Sequence, residues 1–338
     1  MSLARYIIRR IILLVFLLWG ATLVTFTVTN LVPGDPVAVQ LGQSAMSDPE
    51  IVAAFKARYG LDRPLHEQYV MYLRNLLRGD LGRSIRTGRP VLDDLARYFP
   101  ASFELATMAT VVSVVAGVAA GVASAVWRGR VADSLVRVGA LIGVSVPNFW
   151  LALLGLYVFY FRLGWLPGPG RVSALTQLPD GTGLLLWDSV VRGDWALLKE
   201  ALRHLVLPSL VLGSYTMGVI ARTTRSSLLD VLGSDYIRTA RAKGLGEGAV
   251  LFRHALANAM IPTITMIGLS YGNLLGGTVL VETIFAWPGI GRYAYQSTTT
   301  LDFPAIMGVT LLITAVYAVI NMLVDIAYGM LDPRIRYG

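Results

Sequence analysis

Long apolar runs without any Asp, Glu, Lys or Arg recur along the chain, and polar segments separate them. Six such runs are 18 to 28 residues long, and about 20 residues cross the hydrocarbon core of a bilayer as a helix. Lipid offers no partner to an unpaired backbone amide, so helices are the expected structure. We therefore predict an all-α integral membrane protein with six transmembrane helices. They are expected at about residues 8–32, 102–127, 137–161, 204–223, 260–286 and 303–329.

The first run follows Arg5, Arg9 and Arg10, as the apolar part of a signal peptide follows its basic residues. However, the run is too long for a signal peptide, and no small-residue cleavage site follows it. We expect this segment to remain in the protein as the first transmembrane helix.

The composition is that of a membrane protein. Of the 338 residues, 55% are hydrophobic and 15% are charged, and the mean hydropathy is +0.60. Soluble domains carry about 25% charged residues, so this chain lacks the polar surface that water requires. No soluble domain separates from the apolar runs, and residues 1–338 are expected to form a single transmembrane domain.

The distribution of basic residues orients the chain in the membrane. With a cytoplasmic N-terminus, the inner segments hold 14 basic and 6 acidic residues, and the outer segments hold 15 of each. An excess of Lys and Arg marks the cytoplasmic side. We therefore expect both termini inside, with the inner basic residues near anionic lipid headgroups. Nucleic acid is not expected as a partner, because no basic patch is interleaved with exposed aromatic residues.

This orientation places two polar regions outside and one inside. Residues 33–101 form an extracytoplasmic insert, in which we predict a capped helix from Ser47 to Gly60 and an amphipathic helix over Leu65–Leu77. Residues 162–203 form a second extracytoplasmic loop. Residues 226–260 form a cytoplasmic loop between the fourth and fifth predicted transmembrane helices.

Small and polar residues occur within the apolar runs. Glycines spaced four residues apart allow helices to approach closely; the pairs are Gly117 with Gly121, Gly139 with Gly143, and Gly272 with Gly276. The fifth predicted helix is rich in polar side chains, which avoid lipid. The candidates for a translocation path are Thr265, Ser270, Tyr271 and Asn273. Hydrogen bonds between helices are an equally good interpretation for any one of them.

Motifs that supply chemistry are absent from the sequence. There is no phosphate-binding G-x-x-x-x-G-K-[ST] loop, no G-x-S-x-G or H-E-x-x-H motif, and no acid in the middle of an apolar run. Cysteine is absent, and the 3 histidines lack the spacing of metal ligands. We expect no catalytic residue, no metal and no cofactor in this chain. Uphill transport would then need energy from another subunit.

The segment from Ser234 to Pro262 is polar, basic and rich in glycine. We predict a short helix over Asp235–Lys243 that ends at Gly244, and a second helix over Ala249–Ala259. A polar segment of this size on the cytoplasmic side is typical of a docking site for a partner. The alternative is a basic helix beside the membrane that binds anionic lipid.

The sequence RTARAKGL, followed by FRHALANAMIP, resembles the cytoplasmic coupling loop (the EAA loop) of membrane subunits of ATP-binding-cassette importers. More narrowly, it resembles the dipeptide and oligopeptide permease branch. The resemblance covers nearly the whole chain. It includes RYIIRRI near the N-terminus, LVPGDP at 31–36, YGLDRPL at 59–65, GDLGRS at 79–84 and VETIFAWPGIGR at 281–292.

This resemblance implies the permease fold of a type I importer in the cytoplasmic membrane of a prokaryote. Two related membrane subunits would form the pathway, and an extracytoplasmic binding protein would deliver the ligand. Two ATPase subunits would bind ATP and Mg²⁺ and dock on the coupling loops. The implied ATPase-coupling residues are Arg238, Thr239, Ala240, Arg241, Ala242, Lys243, Gly244 and Leu245. Arg238 stands where the general pattern has Glu, and Pro262 comes later than the usual proline; both departures resemble the peptide branch.

The expected function is therefore import of dipeptides or oligopeptides, with this chain forming half of the pathway and no enzyme activity of its own. The first alternative is the same class of transporter for nickel chelates, glutathione or haem. A secondary carrier or channel that works alone is a second alternative. A membrane-embedded enzyme is disfavoured, because no nucleophile–base pair and no paired acids occur at membrane depth.

Overall fold

The computed structural model describes residues 3–31, 49–50, 53, 62–176, 178, 180–276 and 278–331. Within these ranges the chain is helical and contains no β-strand. The LVPGDP motif beyond residue 31 and most of the helix predicted from Ser47 to Gly60 lie outside the described residues. The described helices are α1 (Leu3–Leu31), α2 (Leu65–Leu77), α3 (Val91–Val126), α4 (Val131–Ser145), α5 (Asn148–Gly155), α6 (Leu185–Arg192), α7 (Trp195–Leu232), α8 (Asp235–Ala242), α9 (Glu247–Ala249), α10 (Leu256–Gly276), α11 (Val279–Ile284), α12 (Ile290–Thr299) and α13 (Phe303–Leu331). Two π-helical segments, Leu156–Arg162 and Val250–Ala255, continue α5 and α9.

Among the described residues, five helical stretches are long and apolar enough to cross a membrane. They are α1, α3, α7, the stretch from α9 through α10, and α13. The bent pair of α4 and α5 forms a sixth if it is counted as one span. The prediction of an all-α membrane protein is confirmed.

Two of the predicted spans are not continuous helices, which corrects the sequence analysis. The third, at 137–161, breaks between α4 and α5 with a bend of 108°. Proline disfavours the helical conformation in the residue before it, and Val146, before Pro147, has φ −85° and ψ 128°. The fifth, at 260–286, ends at Gly276, and the chain resumes at Val279 as the separate helix α11.

The chain divides into two compact units. The first comprises residues 1–6, 100–292 and 317–338, and the second comprises residues 7–99 and 293–316. In the first unit, α7 is the enclosed helix: 78% of its most apolar stretch is buried, against 22% for the stretch through α9 and α10. The other helices of this unit therefore use α7 as their packing surface.

Glycine residues allow α3 and α4 to approach the backbone of α7. A Cβ atom at Gly121 would lie 2.7 Å from the carbonyl oxygen of Ala221, and one at Gly143 would lie 2.8 Å from that of Ser214. No side chain fits at such distances. A Cβ atom at Gly139, in contrast, would meet nothing within 4 Å. The packing interpretation of the glycine spacing thus holds for Gly121 and Gly143, and the structure gives Gly139 no such role.

A buried carboxylate fixes α11 to α3 within the first unit. Glu282 is completely buried; it accepts a hydrogen bond from Ser102 Oγ at 2.5 Å and one from the backbone N–H of Arg292 at 2.8 Å. Trp287, also completely buried, donates from Nε1 to the carbonyl oxygen of Ala101 at 2.9 Å. The VETIFAWPGIGR motif is therefore the sequence of a closed hydrogen-bonded turn.

In the second unit, two buried acids hold the loop that precedes α3. Asp302 accepts a hydrogen bond from Ser84 Oγ at 2.6 Å. Asp94 forms an ion pair with Arg89, in which Oδ1 lies 2.6 Å from Nη2. Tyr293 donates its O–H to Asp94 at 3.1 Å. Burial raises the pKa of the Tyr293 hydroxyl, so that this group keeps the proton that it donates. Both acids therefore have polar partners in place of water.

We predict that Gly121→Leu destabilises the protein and that the matched change Gly139→Leu does not. The side chain at position 121 would meet the backbone of α7, and overpacking of this kind costs about 1–3 kcal/mol. The measurement is the thermal unfolding temperature of the purified protein in detergent. Equal unfolding temperatures for the two variants would contradict the close approach of α3 and α7.

Candidate functional site

The cytoplasmic loop predicted at 226–260 begins on the last turns of α7. It continues through α8, α9 and the π-helical segment Val250–Ala255. One side of α8 is buried: Ile237 is completely enclosed and Ala240 is 8% exposed. These two side chains pack with Leu228 of α7, Val250 of the π-helical segment, and Ala259 of α10. A three-residue spacing places Ile237 and Ala240 on one stripe of a helix, so α8 lies on a small apolar cluster of its own.

The opposite side of α8 is open to solvent. Seven of the eight residues with an implied coupling role are exposed there or in the turn that follows: Arg238, Thr239, Arg241, Ala242, Lys243, Gly244 and Leu245. Ala240 lies on the buried stripe instead, which corrects its expected place on the surface. Its small side chain lets α8 lie close to the apolar cluster.

Gly244 ends α8 with a left-handed residue. Its φ is +82°, a conformation that side chains rarely adopt. The N–H of Gly244 donates to the carbonyl oxygen of Arg241 at 2.9 Å, and the N–H of Leu245 donates to that of Ala240 at 3.3 Å. This pair of bonds is a Schellman motif. No atom lies within 4 Å of where a Cβ of Gly244 would stand, so glycine is needed here for its backbone conformation.

Charged side chains close the turn after α8. Arg241 donates to both carboxylate oxygens of Glu247, at 2.8 and 3.1 Å. These hydrogen bonds raise the pKa of the Arg241 guanidinium above its ordinary value. Arg238 forms an ion pair with Asp235, in which Nη2 lies 3.3 Å from Oδ1. Lys243 forms no ion pair with any residue that the structure describes.

An ion pair between a buried carboxylate of α4 and a partly exposed arginine joins α7 to the start of α4, and the sequence did not reveal it. Asp133 is 1% exposed and accepts hydrogen bonds from Arg225 Nε and Nη2 at 2.9 and 3.0 Å. Ser124 Oγ and the backbone N–H of Gly129 donate to the same carboxylate at 2.6 and 3.0 Å. Arg225 and Asp133 are 92 residues apart, and no spacing in the sequence links them. Arg225 lies two turns before the end of α7, so the pair fixes the end of α7 that leads into α8.

The four candidates for a translocation path lie on α10, but they do not share one face. The hydroxyl of Tyr271 lies 2.9 Å from Oγ1 of Thr107 on α3, as the interhelical interpretation expects. Thr265 donates back to the carbonyl oxygen of Ile261 in its own helix at 3.3 Å. Ser270 and Asn273 are one turn apart on a common face, and Asn273 is exposed. The assignment of Ser270 and Asn273 to a translocation path stays a prediction.

Two family models together match nearly the whole chain. The model described as "Binding-protein-dependent transport system inner membrane component" matches residues 114–337, and the model of the N-terminal part of such components matches residues 3–106. The chain is 44% identical to the dipeptide transport system permease protein DppB of Alkalihalophilus pseudofirmus, over 98% of this chain and 99% of the relative. It is 43% identical to the di/tripeptide transport system permease protein DppB of Pseudomonas aeruginosa, over 98% of both.

A solved structure shows the same fold. The MetNI methionine ABC transporter, in an inward-facing conformation, matches 70% of this chain and 96% of its own chain with a TM-score of 0.50 at 15% identity. The fold predicted from the sequence is therefore confirmed. The chain belongs to the family of inner membrane components of binding-protein-dependent transport systems, the permease subunits of type I ATP-binding-cassette importers.

Proposed function

We propose that this chain is one of two permease subunits of an ATP-driven importer of dipeptides and oligopeptides. It would lie in the cytoplasmic membrane of a prokaryote with both termini inside, because the inner segments carry the whole excess of basic residues. Peptide is the proposed substrate because relatives with more than 40% identity over their full length are named for dipeptide or di/tripeptide transport. An extracytoplasmic binding protein would deliver the peptide.

The observation that carries this proposal is the exposed side of α8. The Schellman motif at Gly244 fixes the end of α8, and the apolar cluster beneath fixes its buried side. The helix thus offers a defined polar surface while its position is set from within the chain. Two ATPase subunits, which would bind ATP and Mg²⁺, are the proposed partners of this surface and of its counterpart on the second permease subunit. The proposed contact residues are Arg238, Thr239, Arg241, Ala242, Lys243, Gly244 and Leu245.

The mechanism follows from how α8 is held. Closure of the ATPase dimer on nucleotide would move α8, and α8 is packed on α7 and on the segment leading into α10. The ion pair of Arg225 with Asp133 would carry the motion of α7 to α3 and α4. Rigid helix bundles that rock in this way can switch a cavity between two accessible sides. Ser270 and Asn273 are the side chains that we propose for the pathway on α10.

We predict that Gly244→Val reduces ATP-dependent peptide uptake about five- to thirtyfold and that Gly246→Val leaves it near the wild-type rate. A left-handed residue with a side chain costs about 1–2 kcal/mol, which corresponds to about that factor in an equilibrium. Gly246 has an ordinary φ of −62° and the same open surroundings. Uptake is measured in vesicles that contain the complete transporter, with the amount of permease checked by blotting.

Two results would contradict the proposed role of α8. One is normal uptake by the Gly244→Val variant. The other is an equal loss of uptake in both variants, which would show that this turn tolerates no added bulk and that its left-handed residue has no special part.

We predict that the complete transporter imports a labelled dipeptide only when ATP is present and that unlabelled tripeptide competes with it. Glutathione, a nickel chelate and haem should each compete at least about tenfold less well, since tenfold corresponds to 1.4 kcal/mol of binding free energy. Stronger competition by any of these three would assign the transporter to that substrate. Import without ATP would instead indicate a secondary carrier.

A further inference from the structure

An apolar groove lies in the first unit between the end of α3 and the segment from the π-helical turn into α10. Its volume is about 630 Å³, and all of its lining side chains are apolar. On α3 they include Val115, Ala119 and Trp127, and on the other wall they include Phe252 and Met260. A groove with this lining suits a hydrocarbon chain and offers nothing to a polar solute.

The groove is open among the residues that the structure describes. Val115 is 66% exposed, Phe252 is 63% exposed and Trp127 is 47% exposed. Large apolar side chains left uncovered together mark a place where a protein, a ligand or lipid binds. The charge distribution assigns this end of α3 to the cytoplasmic side, and tryptophan is enriched at the boundary between lipid and water. Trp127 therefore marks the level at which the inner headgroups begin.

Three arginine side chains without a described ion-pair partner lie close in sequence to groove-lining residues at this end. Arg128 and Arg130 follow Trp127 directly, and Arg253 follows Phe252. All three are exposed, and none of their side chains forms an ion pair or hydrogen bond with any residue that the structure describes. The acids nearest to them in the sequence already have partners: Asp133 pairs with Arg225, and Glu247 pairs with Arg241. Three cations without a described partner thus stand close in sequence to side chains that line the apolar groove, at the end that the charge distribution assigns to the headgroup level.

We propose that this groove is a binding site for an anionic phospholipid of the inner leaflet. An acyl chain lies along the apolar walls, and the negative headgroup lies beside Arg128, Arg130 and Arg253. A zwitterionic lipid fills the groove equally well with its chains but gains less from the three arginines, so the site selects by headgroup charge. This site is distinct from the proposed docking surface on α8 and does not depend on the proposed substrate.

The position of the site gives the bound lipid a structural effect. Leu251 borders the groove and also packs against the apolar cluster that supports α8. Val122 of α3 has the same two roles. An acyl chain in the groove thus completes the packing on the outer side of the segment that holds α8 in place.

The absence of cysteine from the sequence permits a direct test. Ala119→Cys places a single thiol on an exposed position in the groove, where a small fluorophore can be attached. The complete transporter, with reactive cysteines removed from its other subunits, is reconstituted in phosphatidylcholine. Phosphatidylglycerol or phosphatidylcholine with brominated acyl chains is then added in steps, because bromine quenches a fluorophore that it contacts. We expect half-maximal quenching at a mole fraction of phosphatidylglycerol roughly fivefold or more below that of phosphatidylcholine, given about 1 kcal/mol per basic residue near an anionic surface.

A double variant and a matched control define the headgroup contact. Arg128→Gln combined with Arg253→Gln should remove the preference for phosphatidylglycerol while quenching by both lipids persists. Arg222→Gln, which removes an exposed arginine of α7 that is not adjacent in sequence to any groove-lining residue, should keep the preference. Equal quenching by the two lipids in the wild-type complex would overturn the proposal. So would an absence of quenching by either lipid, which would show that another subunit covers the groove.

Discussion

Neither a bilayer nor a packed protein interior offers water to a polar group, and the structure of the first unit follows from this constraint. Each buried acid that the structure describes in that unit is met by several donors from the protein itself. Glu282 is surrounded by Ser102 and backbone N–H groups, and Asp133 is surrounded by Arg225, Ser124 and the N–H of Gly129. These clusters join helices that are far apart in the sequence. They fix α11 to α3, and α7 to the connection between α3 and α4.

The same constraint explains why glycine residues decide how the helices pack. Lipid is as apolar as leucine, so apolar area alone does not drive one helix onto another, and close backbone approach must supply the attraction. Gly121 and Gly143 permit that approach to α7. Because α7 is packed in this way over its length and then leads into α8, the small helix α8 is attached to the most enclosed element of the first unit. A docking surface needs such an attachment if its motion is to reach the membrane helices.

The sequence was sufficient for the helical class, the number of apolar runs and the family, because each of these rests on patterns that many residues share. It was not sufficient where one residue decides the local structure. Pro147 breaks a run that hydropathy alone presents as one helix. Ala240 belongs to the buried stripe of α8, because the fold packs this stripe, together with Ile237, on an apolar cluster from other helices. Tyr271 bonds to α3, so polarity alone could not separate a path residue from an interhelical contact. The partners Asp133 and Arg225 carry no local signal, since only the tertiary structure brings them together.

The central claim is that the exposed side of α8 contacts the ATPase subunit, and photo-crosslinking from single cysteines tests it most directly. A benzophenone group is attached at Thr239→Cys or Ala242→Cys in the complete transporter, and at Val131→Cys as a control. Val131 is 75% exposed and lies at the start of α4, outside the proposed surface. We expect crosslinks to the ATPase subunit from positions 239 and 242 and few or none from position 131. Crosslinks from position 131 alone, or equal yields at all three positions, would contradict the assignment of α8 as the coupling surface.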